Sequence, residues 1–176
     1  MHTPQTIVVI GTGKTGKGII RGLSNGNDRV IFCDENFETA RSFTNELQAA
    51  NPYYDVEAVL CSYEATWEAD IIILALPSCP DRRKLAQRIK AVATQKIVVI
   101  MDDAVKELQD LLPHSRIVRA FTGISDDAFD LPAEQKKTID CRVTGTSEEA
   151  VQTVAKLVRT VGFNPVAAAS GTAITR

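Results

Sequence analysis

The stretch Ile7-Val8-Val9-Ile10-Gly11-Thr12-Gly13-Lys14-Thr15-Gly16 decides how this chain is read. Its consecutive branched apolar residues suit a strand buried on both faces. The glycines behind them make a tight turn, and a helical pattern starts at once. Gly11, Gly13 and Gly16 stand at the spacing G-x-G-x-x-G, which between a strand and a helix is the fingerprint of a dinucleotide-binding unit. The first glycine permits the turn, the second lets the backbone approach a pyrophosphate, and the third lets helix and strand pack closely. The N–H groups at the helix start face the phosphates, where the helix dipole favours negative charge. Thr12, Lys14 and Thr15 share this loop, and the last two are placed to face pyrophosphate or ribose.

The residues that follow complete the unit. Ile19, Ile20 and Leu23 form one apolar helix face, Ser24-Asn25-Gly26-Asn27 ends it, and Val30-Ile31-Phe32-Cys33 reads as a second strand closed by Asp34. An acidic side chain about twenty residues beyond the glycines takes the ribose hydroxyls of the adenosine half of NAD. A rival sits in the same residues, since Gly11 to Lys17 contains most of a P-loop. The run Ile97 to Asp102 would pass for the metal-holding strand of a nucleotide hydrolase. That loop needs Ser or Thr after its lysine to coordinate magnesium. Gly18 stands there and has no side chain to offer.

Composition narrows the class. The chain has 176 residues, 44% of them hydrophobic and 24% charged, as for one soluble domain spanning residues 1–176. A net charge of −2 gives no electrostatic case for nucleic acid or an anionic membrane. No apolar run approaches the ~20 residues of a membrane span, and the N-terminus lacks the regions of a signal peptide. A cytoplasmic protein is the expectation. Cys33, Cys61, Cys79 and Cys141 lack C-x-x-C spacing, and with only His2 and His114 beside them no metal site is expected.

Further on, strands and helices alternate. Helical spacing over Phe37–Ala50 stops at Asn51-Pro52; strands are predicted at Val56–Leu60, Ile71–Leu76, Ile97–Met101, Ile117–Phe121 and Thr138–Val143. Leu85, Ile89 and Val92 mark one helix, and Val105, Leu108, Leu111 and Leu112 another. The segment Ser125–Lys137 reads as a polar, mobile connection. Thr146 and Glu149 fit a capping box for a last helix, with Gly162 as its C-terminal cap and a short strand from Asn164. The pattern predicts an α/β fold, a doubly wound and mostly parallel sheet of about eight strands, with its cleft at the strand C-termini. Asp34-Glu35, Leu76-Pro77-Ser78 and Ala120-Phe121-Thr122 stand at those ends. No acid–base pair or triad accompanies them. That suits hydride transfer, in which the cofactor carries the reactive carbon, and it suits a non-catalytic binding or redox-sensing module equally.

Four segments, Gly11–Gly18, Ile71–Pro77, Leu111–Phe121, and Val143-Thr144-Gly145 through Leu157-Val158 to Gly162–Val166, resemble the small NADP oxidoreductases that use the deazaflavin coenzyme F420. The resemblance implies direct hydride exchange between a bound nicotinamide and a flat redox ring, and a homodimer. It assigns Gly11 through Gly16 to the pyrophosphate. Asp34 and Glu35 fall where the family grips the 2′-phosphate of NADP, and Leu76, Pro77, Ala120, Phe121 and Thr122 line the nicotinamide and acceptor side. Two departures stand out. A carboxylate repels a phosphate dianion but accepts hydrogen bonds from both ribose hydroxyls, so NAD(H) is expected ahead of NADP(H). The sequence stops at Arg176, short of the family's further helix, which leaves the acceptor open between the deazaflavin and a flavin-like ring.

Overall fold

The computed structural model describes residues 3–11, 13–76 and 80–169. In chain order the elements are β1 (Thr6–Ile10), α1 (Lys14–Leu23), β2 (Arg29–Cys33), α2 (Phe37–Ala50), β3 (Val56–Val59), α3 (Ser62–Glu68), β4 (Ile71–Leu74), α4 (Pro80–Ile89), β5 (Ile97–Ile100), α5 (Val105–Leu111) and β6 (Arg116–Arg119). A 3-10 helix (Asp126–Asp130), α6 (Ala133–Lys136), β7 (Asp140–Gly145), α7 (Glu148–Val161) and β8 (Asn164–Ala169) complete them. The strands form one eight-stranded sheet in the order β3-β2-β1-β4-β5-β6-β7-β8. Every pairing is parallel except β6 with β7. The fold is the expected doubly wound α/β sheet. Its order reverses between β1 and β4, the switch point at which such sheets leave a crevice.

Alternation along the strands builds two cores. Ile7, Val9, Val30, Phe32, Ile71 and Ile73 face α1, α2 and α7. Val8, Ile10, Ile31, Ile72, Val98 and Ile100 face α3, α4 and α5. Strands buried on both faces explain the continuous apolar runs. Among the described residues no helix is long and apolar enough to cross a membrane.

Three sequence expectations need correction. The helix α3 was not foreseen, because its periodicity is inverted: Ala65 is buried, while Tyr63 and Trp67 are 43% and 69% exposed. The last helix is capped by Ser147, whose Oγ accepts from Ala150 N at 3.3 Å, and not by Thr146. Gly162 does end it, at φ +115°, with its N–H on the carbonyls of Val158 and Arg159. Finally, Ser125–Lys137 is not a mobile connection. It folds into the 3-10 helix and α6, and buries Phe129 to 3% exposure. Phe129 packs edge-on against Phe163, with ring centroids 5.1 Å apart, and lies 6.3 Å from Phe121.

This aromatic plug explains Gly18. A Cβ there would lie 2.5 Å from Cβ and 2.6 Å from Cγ of Phe129, so α1 can pack on the 3-10 helix only without a side chain at that position. Gly18→Ala is expected to lower unfolding free energy by about 1–3 kcal/mol, the range for overpacking a filled core, in urea denaturation. An unchanged midpoint would contradict this contact. Cys33 and Cys141 are core members as well. Burial above all, with Asp34 and Cys61 adding to it, pushes the Cys33 thiol up to about 12. Burial pushes Cys141 up to about 11 against the opposing N–H of Phe121. Both therefore stay protonated near neutrality, and the thiolate is the reactive form. Iodoacetamide at about pH 8 followed by peptide mapping should modify exposed Cys61 and spare both buried thiols; equal labelling would refute their placement.

Candidate functional site

At the C-terminal edge of the sheet the backbone ladder runs on into the glycine turn. Gly11 N donates to Cys33 O at 3.0 Å, and Ala75 N donates to Ile10 O at 2.9 Å. Gly11 has φ +123°, and a Cβ on it would sit 2.4 Å from Ala75 O. A Cβ on Gly16 would sit 2.4 Å from Gly11 O. These two glycines are required by the chain itself.

Gly13 is different. Its φ of −59° and ψ of 167° are open to any residue, and nothing among the described residues lies within 4 Å of the position its Cβ would take. It caps α1 without a side-chain hydrogen bond, and the first turn carries no acidic residue. The N–H groups of that turn that no carbonyl of α1 accepts form the positive end of the helix dipole. Lys14 and Thr15 do not add their side chains to it. Lys14 Nζ lies 3.4 Å from Asp127 Oδ1, and Thr15 Oγ1 donates to Asp126. With Arg21 on Asp130 at 3.0 Å, these exposed contacts fasten α1 to the 3-10 helix. Each is worth at most about 1 kcal/mol.

Beside the turn opens a cleft of about 390 Å³. Ile10 and Gly11 form its floor, Cys33, Asp34 and Glu35 one wall, and Leu60, Ser62, Leu76 and the α4 residues Asp81, Lys84, Leu85 and Arg88 the others. Gly11, Asp34, Glu35 and Leu76 are thereby brought together. Asp34 is fixed by an Asx turn, its Oδ1 accepting from Asn36 N at 2.7 Å. Ser62 is 6% exposed, and its buried Oγ has no hydrogen-bond partner. A buried hydroxyl left unpaired is costly, and this one borders the cleft. An uncapped helix start, an open Gly13 and an unpaired hydroxyl beside ribose-competent carboxylates fit a dinucleotide.

Sequence reading missed Ser62, Lys84 and Arg88. The first lies on the unforeseen α3. The other two are four residues apart on α4, so one helix face carries both toward the cleft; that spacing was visible in the sequence. At the far end Arg82, 7% exposed, pairs with Asp102 beyond β5. Asp102 also accepts from Ala104 N at 3.0 Å, which ties the start of α4 to the adjoining strand. Ala120 and Phe121 are 0% and 3% exposed, so their side chains belong to the core. Thr122 is half-buried, and its Oγ1 donates to Met101 O at 2.9 Å. Thr12, Pro77 and Ser78 lie outside the described residues.

Comparison with known proteins agrees with this architecture. A hypothetical protein from Sinorhizobium meliloti superposes with a TM-score of 0.72 at 20% identity, over 94% of this chain and 85% of that one. A protein of Arthrobacter sp. FB24, provisionally described as an F420-dependent NADP-reductase, superposes with a TM-score of 0.73 at 15% identity, over 94% and 84%. The 3-hydroxyisobutyrate dehydrogenase of Mycobacterium tuberculosis gives 0.70 at 16%, over 95% of this chain but 55% of its own. At these identities the likeness is one of fold. No curated protein matches in sequence. Residues 6–104, more than half of the chain, match the family model described as NADP oxidoreductase, coenzyme F420-dependent, and the chain belongs to that family.

Proposed function

We propose that this protein binds NAD(H) in the cleft and exchanges hydride between the nicotinamide and a planar acceptor of deazaflavin or flavin type. The observation that carries the binding half is Gly13, the N-cap of α1, where a Cβ would meet nothing among the described residues. Absence of a side chain there leaves room for a group to approach the helix start, and the uncapped N–H groups suit a pyrophosphate. Gly11 through Gly16 would hold that group by backbone N–H. Asp34 and Glu35 would accept from the ribose hydroxyls, with Leu76, Pro77 and Ser78 beside the nicotinamide. The bound cofactor supplies the hydride-carrying carbon. The protein's part is to position it and exclude water, so no acid or base is required. A binding or sensing module without turnover is the reading from a different class.

NADP(H) is a second reading of the cofactor, favoured by Lys84 and Arg88, which face the Asp34–Glu35 wall from α4. The two make opposite predictions. With the acids in control, NADH binds at least about tenfold tighter than NADPH, and the double variant Asp34→Ser, Glu35→Arg reverses the order. With the α4 cations in control, NADPH binds at least as tightly, and Lys84→Met with Arg88→Met abolishes that. Fluorescence titration of both nucleotides decides.

Gly13→Val tests the site itself. It is expected to weaken NADH binding by about 100-fold or more, with a loss of stability no larger than about 1 kcal/mol, the penalty for a branched residue at a helix N-cap. Equal loss of stability, or retained binding, would refute the assignment. Turnover of NADH with deazaflavin, flavin or ferric acceptors supports the oxidoreductase, and tight binding without turnover supports the module.

A further inference from the structure

We propose that Cys33 and Cys61 form a reversible disulfide beside the cleft, made when a peroxide oxidises the exposed Cys61, and that the bridged protein binds NADH less tightly. The inference rests on the cofactor reading above and adds a modification site that controls it.

The two cysteines are brought together where β3 passes into α3. Strands β2 and β3 run parallel with Cys33 opposite Val59, and Leu60 and Cys61 then lead the chain into the helix. Cys33 is 2% exposed, and its thiol donates to Leu60 O at 3.8 Å. That oxygen and the Cα of Cys61 belong to one planar peptide unit, so the Cys33 sulfur lies within about 7 Å of that Cα. The side chain of Cys61 covers much of this gap, and a small shift of the loop between β3 and α3 brings the pair to bridging distance. Nothing holds Cys61 back, since as N-cap of α3 it makes no side-chain capping hydrogen bond. The thiols also sense each other electrically, negative charge on Cys61 raising the proton affinity of Cys33. Cys141 belongs to the core on the opposite side of the sheet and does not compete.

Exposure divides the chemistry between them. A peroxide reaches Cys61, which is exposed, while Cys33 is shielded. The Cys61 sulfur attacks one peroxide oxygen, the O–O bond breaks, and a sulfenic acid and one water form. The Cys33 sulfur then attacks the Cys61 sulfur, the S–O bond breaks, and the hydroxyl leaves as a second water with the Cys33 proton. Two thiols have lost two electrons and two protons, and the peroxide has gained them. Burial keeps Cys33 protonated, so the second step is the slower. The bridge acts on the cleft because its ends belong to different walls. Cys33 and Asp34 line one, and Leu60 and Ser62, which flank Cys61, line another. Drawing the sulfurs together pulls these walls toward each other and narrows the space for the nucleotide.

The test uses the whole chain, first reduced, then treated with equimolar hydrogen peroxide and freed of reagent. Non-reducing peptide mapping is expected to show the Cys33 and Cys61 peptides joined within one molecule, with two hydrogens lost. NADH affinity, read by fluorescence titration, is expected to fall at least about tenfold and to return with dithiothreitol. In Cys61→Ser the affinity after peroxide equals that of the reduced protein. Linkage of Cys61 to any cysteine other than Cys33, or a sulfenic acid on Cys61 that never resolves, overturns the proposal. So does a bridged form that binds NADH within about twofold of the reduced one, or an affinity loss that persists in Cys61→Ser. Failure of the cofactor reading registers separately, as absence of NADH binding by the reduced protein, and the peptide map still decides whether the bridge forms.

Discussion

The constraint on which this structure depends is the approach of the β1–α1 turn to the end of β4. Gly11 lies so close that a Cβ would fall 2.4 Å from Ala75 O, and Gly16 lies as close to Gly11 O. Both contacts follow from the parallel register that places β1 between β2 and β4. A methyl group at either position would push α1 off the sheet. That would move the helix start away from the switch point and break its packing on the 3-10 helix. The tight turn is thus shared property: it closes the core and, through Gly11, lines the crevice.

What could be read from the sequence follows from how each feature is encoded. Strands buried on both faces leave unbroken apolar runs, so β1, β4 and β5 were legible, and the glycine spacing with Asp34 picked out residues of which Gly11 and Asp34 line one cleft. Local grammar failed where packing is carried by few or small residues. In α3 the helix is held by Ala65, while its large residues face outward, so no apolar stripe announces it. The segment after β6 is polar by count, yet a single phenylalanine fixes it to α1 and α7. The wall formed by Lys84 and Arg88 depends on the rotation of α4 against β4, which spacing alone does not set.

Gly18 shows how one residue can be read correctly for the wrong reason. Its missing hydroxyl argues against magnesium binding after Lys17, and that chemical argument stands. Its place in the structure has a different cause, the ring of Phe129 seated against α1. Gly13 is the converse case: it caps α1, and a Cβ on it would meet nothing among the described residues.

The same reasoning divides the sheet into two halves with different tasks. From β2 to β5 the strands are parallel, buried on both faces, and end at a crevice walled by Asp34, Glu35, Lys84 and Arg88. Between β6 and β7 the pairing is antiparallel, and β7 and β8, parallel to each other, leave one face without a helix, carrying Asp140, Arg142, Thr144 and Val166 in alternation with buried Cys141 and Val143. An antiparallel strand can present one solvated polar face in a way that a doubly covered parallel strand cannot. Backbone donors at a helix start recognise a phosphate in any dinucleotide and so confer little selectivity. Side chains on an open sheet face can change without disturbing the core beneath them. The left-handed turn at Phe121 marks the border between the two halves, where the chain leaves β6.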